Sequence, residues 1–240
     1  MTVSGRPDRR TETWRRQRDV GVAGIAGPTL GLALDGEPFR RLPPLPREFF
    51  DRDPVRVARE AIGKLLISES AEGICAGRIV ETEAYLARGD SACHAATRRS
   101  GRNEAMFGPP GHAYVYAIHS RWCFNLVTEP PEVGSAVLVR ALEPLVGLAQ
   151  MQRRRGITRT FDLARGPARL CEAIGIGRNH NHLDLVQGAG IWLASDGEAA
   201  PSRGQIGRSV RIGVTSAQNL PLRFFVRDCR YVSGPRRLNS

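Results

Sequence analysis

Arg78-Ile79-Val80-Glu81-Thr82-Glu83-Ala84-Tyr85 reads as a strand, and a period of two puts Ile79, Glu81, Glu83 and Tyr85 on one face. Two carboxylates and a tyrosine on one face are unusual for a core. Taken alone, the segment reads as an edge strand with Glu81 and Glu83 in water. Outward from it, strand-like runs are expected over 73–85, 111–118 and 135–142, separated by Gly/Pro-rich loops, and again over 210–214 and 222–226. A helix is expected over 53–66, where Asp53-Pro54 precedes apolar residues near helical spacing. Further helices are expected near 145–155 and over 168–174, after Gly166-Pro167. Strands that precede interspersed helices point to an α+β fold, a single domain around a mixed, mainly antiparallel curved sheet with surrounding helices.

The chain has 240 residues, enough to bury a sizeable core without disulfide staples. Residues 1–44 mix Arg, Gly, Pro and Thr without periodicity and read as a basic, mobile extension. The main domain is expected over 45–234, with a short tail at 235–240. Lys plus Arg number 35 against 24 acids, a formal net charge of +11, which suits a polyanionic partner. Lys64 is the only lysine, and arginine offers a planar fork suited to phosphate. Five cysteines, widely spaced and without a Cys-x-x-Cys pair, fit reduced thiols in a cytoplasmic protein. No stretch approaches the roughly 18 apolar residues of a membrane helix. Residues 20–34, after Trp14-Arg15-Arg16-Gln17-Arg18, superficially resemble an export signal, but glycines and Pro28 break that run.

The downstream context changes the reading of Glu81 and Glu83. His94, Tyr114, Tyr116, His119 and Arg140 supply the groups that a base-flipping hydrolase needs, although either tyrosine could be ordinary strand packing. Arg140 lies in the apolar run Val137-Leu138-Val139-Arg140-Ala141-Leu142-Glu143-Pro144, where a charge requires a carboxylate or phosphate partner. Asn179-His180-Asn181-His182 reads as a polar turn, since no ligand set stands near it. A zinc deaminase would need His-x-Glu followed by Cys-x-x-Cys, and the Gly108–Gly111 loop lacks the lysine of a phosphate-binding loop.

Gly77 to Leu86, His94, Arg102-Asn103, Met106-Phe107-Gly108-Pro109-Pro110-Gly111, Tyr114-Val115-Tyr116, Cys123-Phe124-Asn125, Val137 to Pro144, and Arg165-Gly166-Pro167 with Leu170-Cys171 occur together and in order. This set resembles the alkyladenine (3-methyladenine) DNA glycosylase family over roughly residues 45–232. The resemblance implies a monofunctional hydrolase that flips a damaged purine out of duplex DNA, works as a monomer, uses neither metal nor cofactor, and inserts a protruding β-hairpin into the DNA. It makes Glu83 the general base that activates water. Arg140 would position that water and a flanking phosphate, and the Ile212 carbonyl would be a further water ligand. Tyr85 and His94 would line one side of the base pocket, with Tyr116 stacking on the other face, Leu138 in the pocket, and Asn125 crowding the exocyclic amino group of guanine. His119, Arg121, Arg102, Arg169 and Ile212 would lie against DNA.

Two features depart from the family pattern. The family commonly has a tyrosine at the hairpin tip, where this chain has His119, and the stretch from His119 to Asn125 is about one residue shorter. Either His119 is the wedge or Arg121 or Trp122 shares the task. A strand-cleaving glycosylase would need an amine nucleophile, and Lys64 sits on an expected helix with no reason to face the pocket. A non-catalytic basic DNA-binding module would account for the charge but not for Glu83, Tyr85, His94 and Arg140 together.

Overall fold

β2 spans Gly73–Tyr85 in the computed structural model, which describes residues 36–239. Residues 1–35, most of the expected basic extension and all of the apolar run at 20–34, lie outside the described residues. β2 is an interior strand. β5 (Ser135–Val146) pairs along one edge, and the other edge is shared by β1 (Leu65–Ser70) and β8 (Arg223–Val226). The edge-strand reading is thereby corrected: Glu81 and Glu83 are both fully buried. With both edges of β2 occupied, their charge is met by buried arginines in place of water.

The remaining strands are β3 (Ala113–Ile118), β4 (Arg121–Thr128), β6 (Ile191–Ala194) and β7 (Ile206–Ser209). The order is β3-β4-β5-β2-β1-β6, with β7 joined through β8 to β2. Every strand pairing among the described residues is antiparallel, so the fold is α+β as expected but the sheet is not mixed. Tight turns between neighbours such as β1–β2 and β3–β4 permit only antiparallel pairing. The β2–β5 ladder shifts register between Ala76 and Gly77 and again on either side of Glu81. Ala141 pairs with Glu81 and Val139 with Thr82, so Arg140 is the extra residue of a bulge. Bulges bend a strand and re-aim its side chains, which curls this sheet at the buried carboxylates.

Among the described residues the helices are few and short. α1 (Glu37–Arg40) and α2 (Arg47–Phe50) precede α3 (Pro54–Ala61), whose N-terminus is capped by the Asp53 carboxylate accepting from the Val55 and Arg56 amides at 2.9 and 3.0 Å. α3 is shorter than the expected 53–66. Gly63, at φ 89°, turns the chain and donates its N–H to the Ile79 carbonyl at 2.8 Å, releasing Leu65 and Leu66 into β1. Thr82 Oγ1 donates to the Ala58 carbonyl at 2.8 Å, so α3 covers the face of β2 opposite its neighbour Glu83. α4 (Leu148–Arg155) and α5 (Pro167–Ile174) pack together, and α5 covers β4 and β5.

The segment before Leu45 takes part in the packing. Phe39 and Leu42 lie against a core of Leu65, Ile67, Ile74, Ala76, Val146, Trp192 and Ala194. The Trp192 indole donates to the Leu42 carbonyl at 3.1 Å. The strand expected at 210–214 is a loop instead, and β7 lies earlier in the chain. Ile212 spends its N–H on Glu83 rather than on a strand ladder, and Gly213 sits at φ 81°. Asn179 to His182 border the free edge of β3, where Asn181 Oδ1 accepts from the Val115 amide at 2.8 Å and the His182 amide donates to Ala113. This segment covers an exposed sheet edge.

Candidate active site

Strand alternation and the bulge together bring Glu83, Glu81 and Arg140 to one place. Glu83 Oε2 accepts from the Tyr85 hydroxyl at 3.0 Å and from Arg140 Nη1 at 3.2 Å. Glu83 Oε1 accepts from the Ile212 amide at 2.8 Å. A carboxylate offers about four lone-pair directions, so three donors leave one free. Burial, and secondarily the Glu83 charge, hold the Tyr85 hydroxyl well above its ordinary pKa, which keeps it protonated and fixes it as the donor.

Arg140, 6% exposed, divides its guanidinium between two carboxylates. Nε donates to Glu81 Oε1 at 3.1 Å, Nη1 to Glu83, and Nη2 to Ser233 Oγ at 3.4 Å. Burial disfavours its charge, but Glu83 and Glu81 outweigh that and raise its pKa further. The Ile212 carbonyl lies 3.5 Å from Arg140 Nη1, so both backbone groups of this residue reach the pair. Arg211, beside it, anchors the loop. It grips Asp90 with two bonds of 2.6 Å, donates to the Ala84 carbonyl, and stacks over the Tyr85 ring at 4.5 Å.

Next to the carboxylate, Tyr85, His94, Met106, Tyr114, Tyr116 and Asn125 line a narrow, nearly filled cavity. His94 and Tyr116 meet edge to face, with centroids 4.6 Å apart. His94 Nδ1 lies 2.7 Å from the Tyr114 hydroxyl. Burial and nearby Arg102 lower the His94 pKa, while burial raises that of Tyr114. Both shifts favour the neutral forms, an uncharged imidazole hydrogen-bonded to an uncharged phenol. Asn125 is buried in β4 and donates through Nδ2 to the Tyr114 carbonyl at 3.0 Å. Leu138, also buried, pairs with both Asn125 and Glu83 across the sheet.

β3 and β4 form a hairpin whose two-residue turn, His119-Ser120, has φ of 46° and 63°. Positive φ at both turn positions matches the twist of a tight hairpin and usually selects Asn-Gly or Gly-Gly. A histidine and a serine held there cost backbone energy. Residues 117–121 are exposed, Ile118 among them. Arg121 immediately follows the turn, paired with Ile118, and Arg102 Nη2 donates to the Ala117 carbonyl of the same hairpin at 3.3 Å. Arg169 is exposed on α5.

Of the residues singled out in the sequence, Glu83, Arg140, Ile212 and Tyr85 are joined by direct bonds. His94, Tyr116 and Asn125 share the adjoining cavity. Lys64 donates to Ser195 Oγ at 3.1 Å and belongs to a separate groove beside α3.

The methylpurine-DNA glycosylase family model matches residues 48–230. The chain belongs to that family. It is a DNA glycosylase, a hydrolase of DNA repair. A relative from Mesorhizobium japonicum is 45% identical over 199 residues, covering 82% of this chain and 94% of its own. One from Methanoculleus marisnigri is 47% identical over 193 residues, covering 79% and 98%. One from Koribacter versatilis is 41% identical over 203 residues, covering 82% and 97%. All three carry the provisional name 3-methyladenine DNA glycosylase.

Sequence reasoning missed several residues that hold the Glu83–Arg140 cluster together. Glu81 was seen but given no role, and Asp90, Arg211, Arg223 and Ser233 were not singled out. Arg211 and Arg223 are buried and ion-paired. Their partners lie 121 and 142 residues away in sequence, so no local pattern connects them. The available signal was an arginine inside an apolar run, as in Leu222-Arg223-Phe224-Phe225-Val226, the same signal that marked Arg140.

Proposed function

We propose that this enzyme is a monofunctional, hydrolytic glycosylase. It takes alkylated or deaminated purines of the 3-methyladenine, 7-methylguanine and hypoxanthine class from double-stranded DNA and leaves an abasic site. The observation that carries this reading is a buried carboxylate, Glu83, with three donors and one free lone pair beside an aromatic cavity. In the reaction, Glu83 takes a proton from water. The water oxygen bonds to the anomeric carbon, and the electron pair of the breaking C–N bond leaves with the base. The anionic carboxylate also offsets positive charge developing on the sugar. A purine methylated at N3 or N7 is already cationic and departs neutral, whereas hypoxanthine needs added help.

Tyr85, His94 and Tyr116 receive the flipped base, Leu138 closes the pocket, and Asn125 disfavours the amino group of guanine. The Ile212 carbonyl and Arg140 hold the water. His119, at the tip of the exposed hairpin, fills the gap in the duplex, and Arg102, Arg121 and Arg169 contact phosphates. The enzyme acts as a monomer in the cytoplasm, without metal or cofactor. Measuring free base released from oligonucleotides that carry each lesion, for wild type and Glu83→Gln, tests the reading. Turnover by the variant would refute it.

A further inference from the structure

Arg223 is fully buried, and all five of its N–H donors find acceptors. Nε donates to Glu81 Oε1 at 2.6 Å. Nη1 donates to Ser209 Oγ and the Leu238 carbonyl, both at 2.8 Å. Nη2 donates to the Ser233 carbonyl at 3.1 Å and to Asn239 Oδ1 at 2.7 Å. Its guanidinium also stacks on the Phe225 ring at 4.5 Å. Glu81 is held in turn by the Ser233 amide at Oε2, 2.7 Å away, and receives Arg140 at Oε1. The segment 233–239 thus closes over one end of a buried chain of charges that runs Arg223, Glu81, Arg140, Glu83.

The arrangement governs how Arg140 meets Glu83. An arginine facing one carboxylate prefers two parallel bonds. Two bonds from Arg140, added to those from Tyr85 and Ile212, would occupy all of the roughly four acceptor directions of Glu83. Glu81 prevents this by taking Arg140 Nε, while Ser233 Oγ takes Nη2, so a single bond reaches Glu83.

We propose that Glu81, Arg223 and the segment 233–239 are positioning elements for the reaction: they hold Arg140 in single-bonded contact with Glu83 and so keep one Glu83 lone pair open for the attacking water. This rests on the reading of Glu83 as general base. None of these residues lines the aromatic cavity. Their loss therefore lowers the chemical step and leaves lesion binding nearly intact.

The test compares the single-turnover rate at saturating enzyme with the dissociation constant for the same lesion duplex. Three variants of the otherwise full chain are used: one ending after Pro235, which removes the Leu238 and Asn239 acceptors; Arg223→Lys; and the charge-balanced double variant Glu81→Gln with Arg223→Met. Circular dichroism and thermal melting identify those that fold. In every folded variant the rate should fall about tenfold or more, as small misplacements at a reacting centre do, with affinity within about threefold of wild type. Asn239→Asp keeps the acceptor for Arg223 but loses the 3.2 Å bond from Asn239 Nδ2 to the Ser233 carbonyl, so it should recover most of the rate lost on truncation, whereas a loss equal to that of the truncation would contradict the proposal. Wild-type rates in the folded truncation would overturn it, as would equal losses of rate and affinity. Glu83→Gln, measured alongside, separates the two readings: turnover in that variant rejects the general base itself, while an inactive Glu83→Gln with fully active truncation rejects only the positioning role.

Discussion

The Ile212 amide donates to Glu83 Oε1 at 2.8 Å across 129 residues of chain. Glu83 is therefore held from a loop as well as from its own strand, and a substitution that keeps its shape is informative. In Glu83→Gln the amide oxygen can still accept from Ile212, while the amide nitrogen faces the Tyr85 hydroxyl and loses the bond from Arg140 Nη1. Base release should become undetectable and lesion-DNA affinity should stay within about tenfold of wild type. Gel-shift and free-base assays on the same preparation check both.

Lys64 is bonded to Ser195 in a groove beside α3, and α3 lies on the face of β2 opposite Glu83. No Schiff base through that amine is expected, and the product should be an intact abasic site. Borohydride reduction during turnover should trap no protein–DNA adduct. An adduct lost in Lys64→Ala would contradict the assignment.

His119 sits at the hairpin tip with positive φ. A ring inserted into the gap left by a flipped nucleotide recovers part of the lost stacking, on the order of a few kcal/mol. His119→Ala should therefore slow excision more for a paired lesion than for an unpaired one. His119→Tyr should restore activity. Equal losses on both substrates would make the residue a support of the pocket and turn attention to Arg121 or Trp122.

Burial lowers the pKa of both His94 and His180 from the ordinary 6.5. Below about 6.5 the unfolded chain binds protons that the folded chain refuses, so stability should fall as pH drops from there toward the folded-state values. Above 7 this contribution is constant. Melting curves between pH 5 and pH 8 should show the slope, and His94→Gln should make it shallower while His180 keeps part of it.

Phe39 and Leu42 pack on the core, and Pro44 bridges to Ala194. Removal of residues 1–35 keeps every one of these contacts and is the reference for a longer truncation. Removing residues 1–44 should cost about 2 kcal/mol or more, through lost apolar burial. Urea denaturation of the two truncated proteins compares them directly, and equal midpoints would place the boundary after residue 44.

The sequence by itself determined the elements whose signals are local. The 73–85 strand has the observed bounds, the Asp53-Pro54 start of α3 is capped as its residues dictate, and the ordered motifs from Gly77 to Cys171 carried the family. Tertiary structure decided whether β2 lies at an edge, because strand neighbours depend on β1, β5 and β8 together. It also decided the fate of residues 210–214, whose backbone is drawn to a distant carboxylate and away from a ladder. The wholly buried arginines follow the same rule. A charge can be buried only where a partner arrives, and the partners of Arg211 and Arg223 are brought by chain closure over more than a hundred residues.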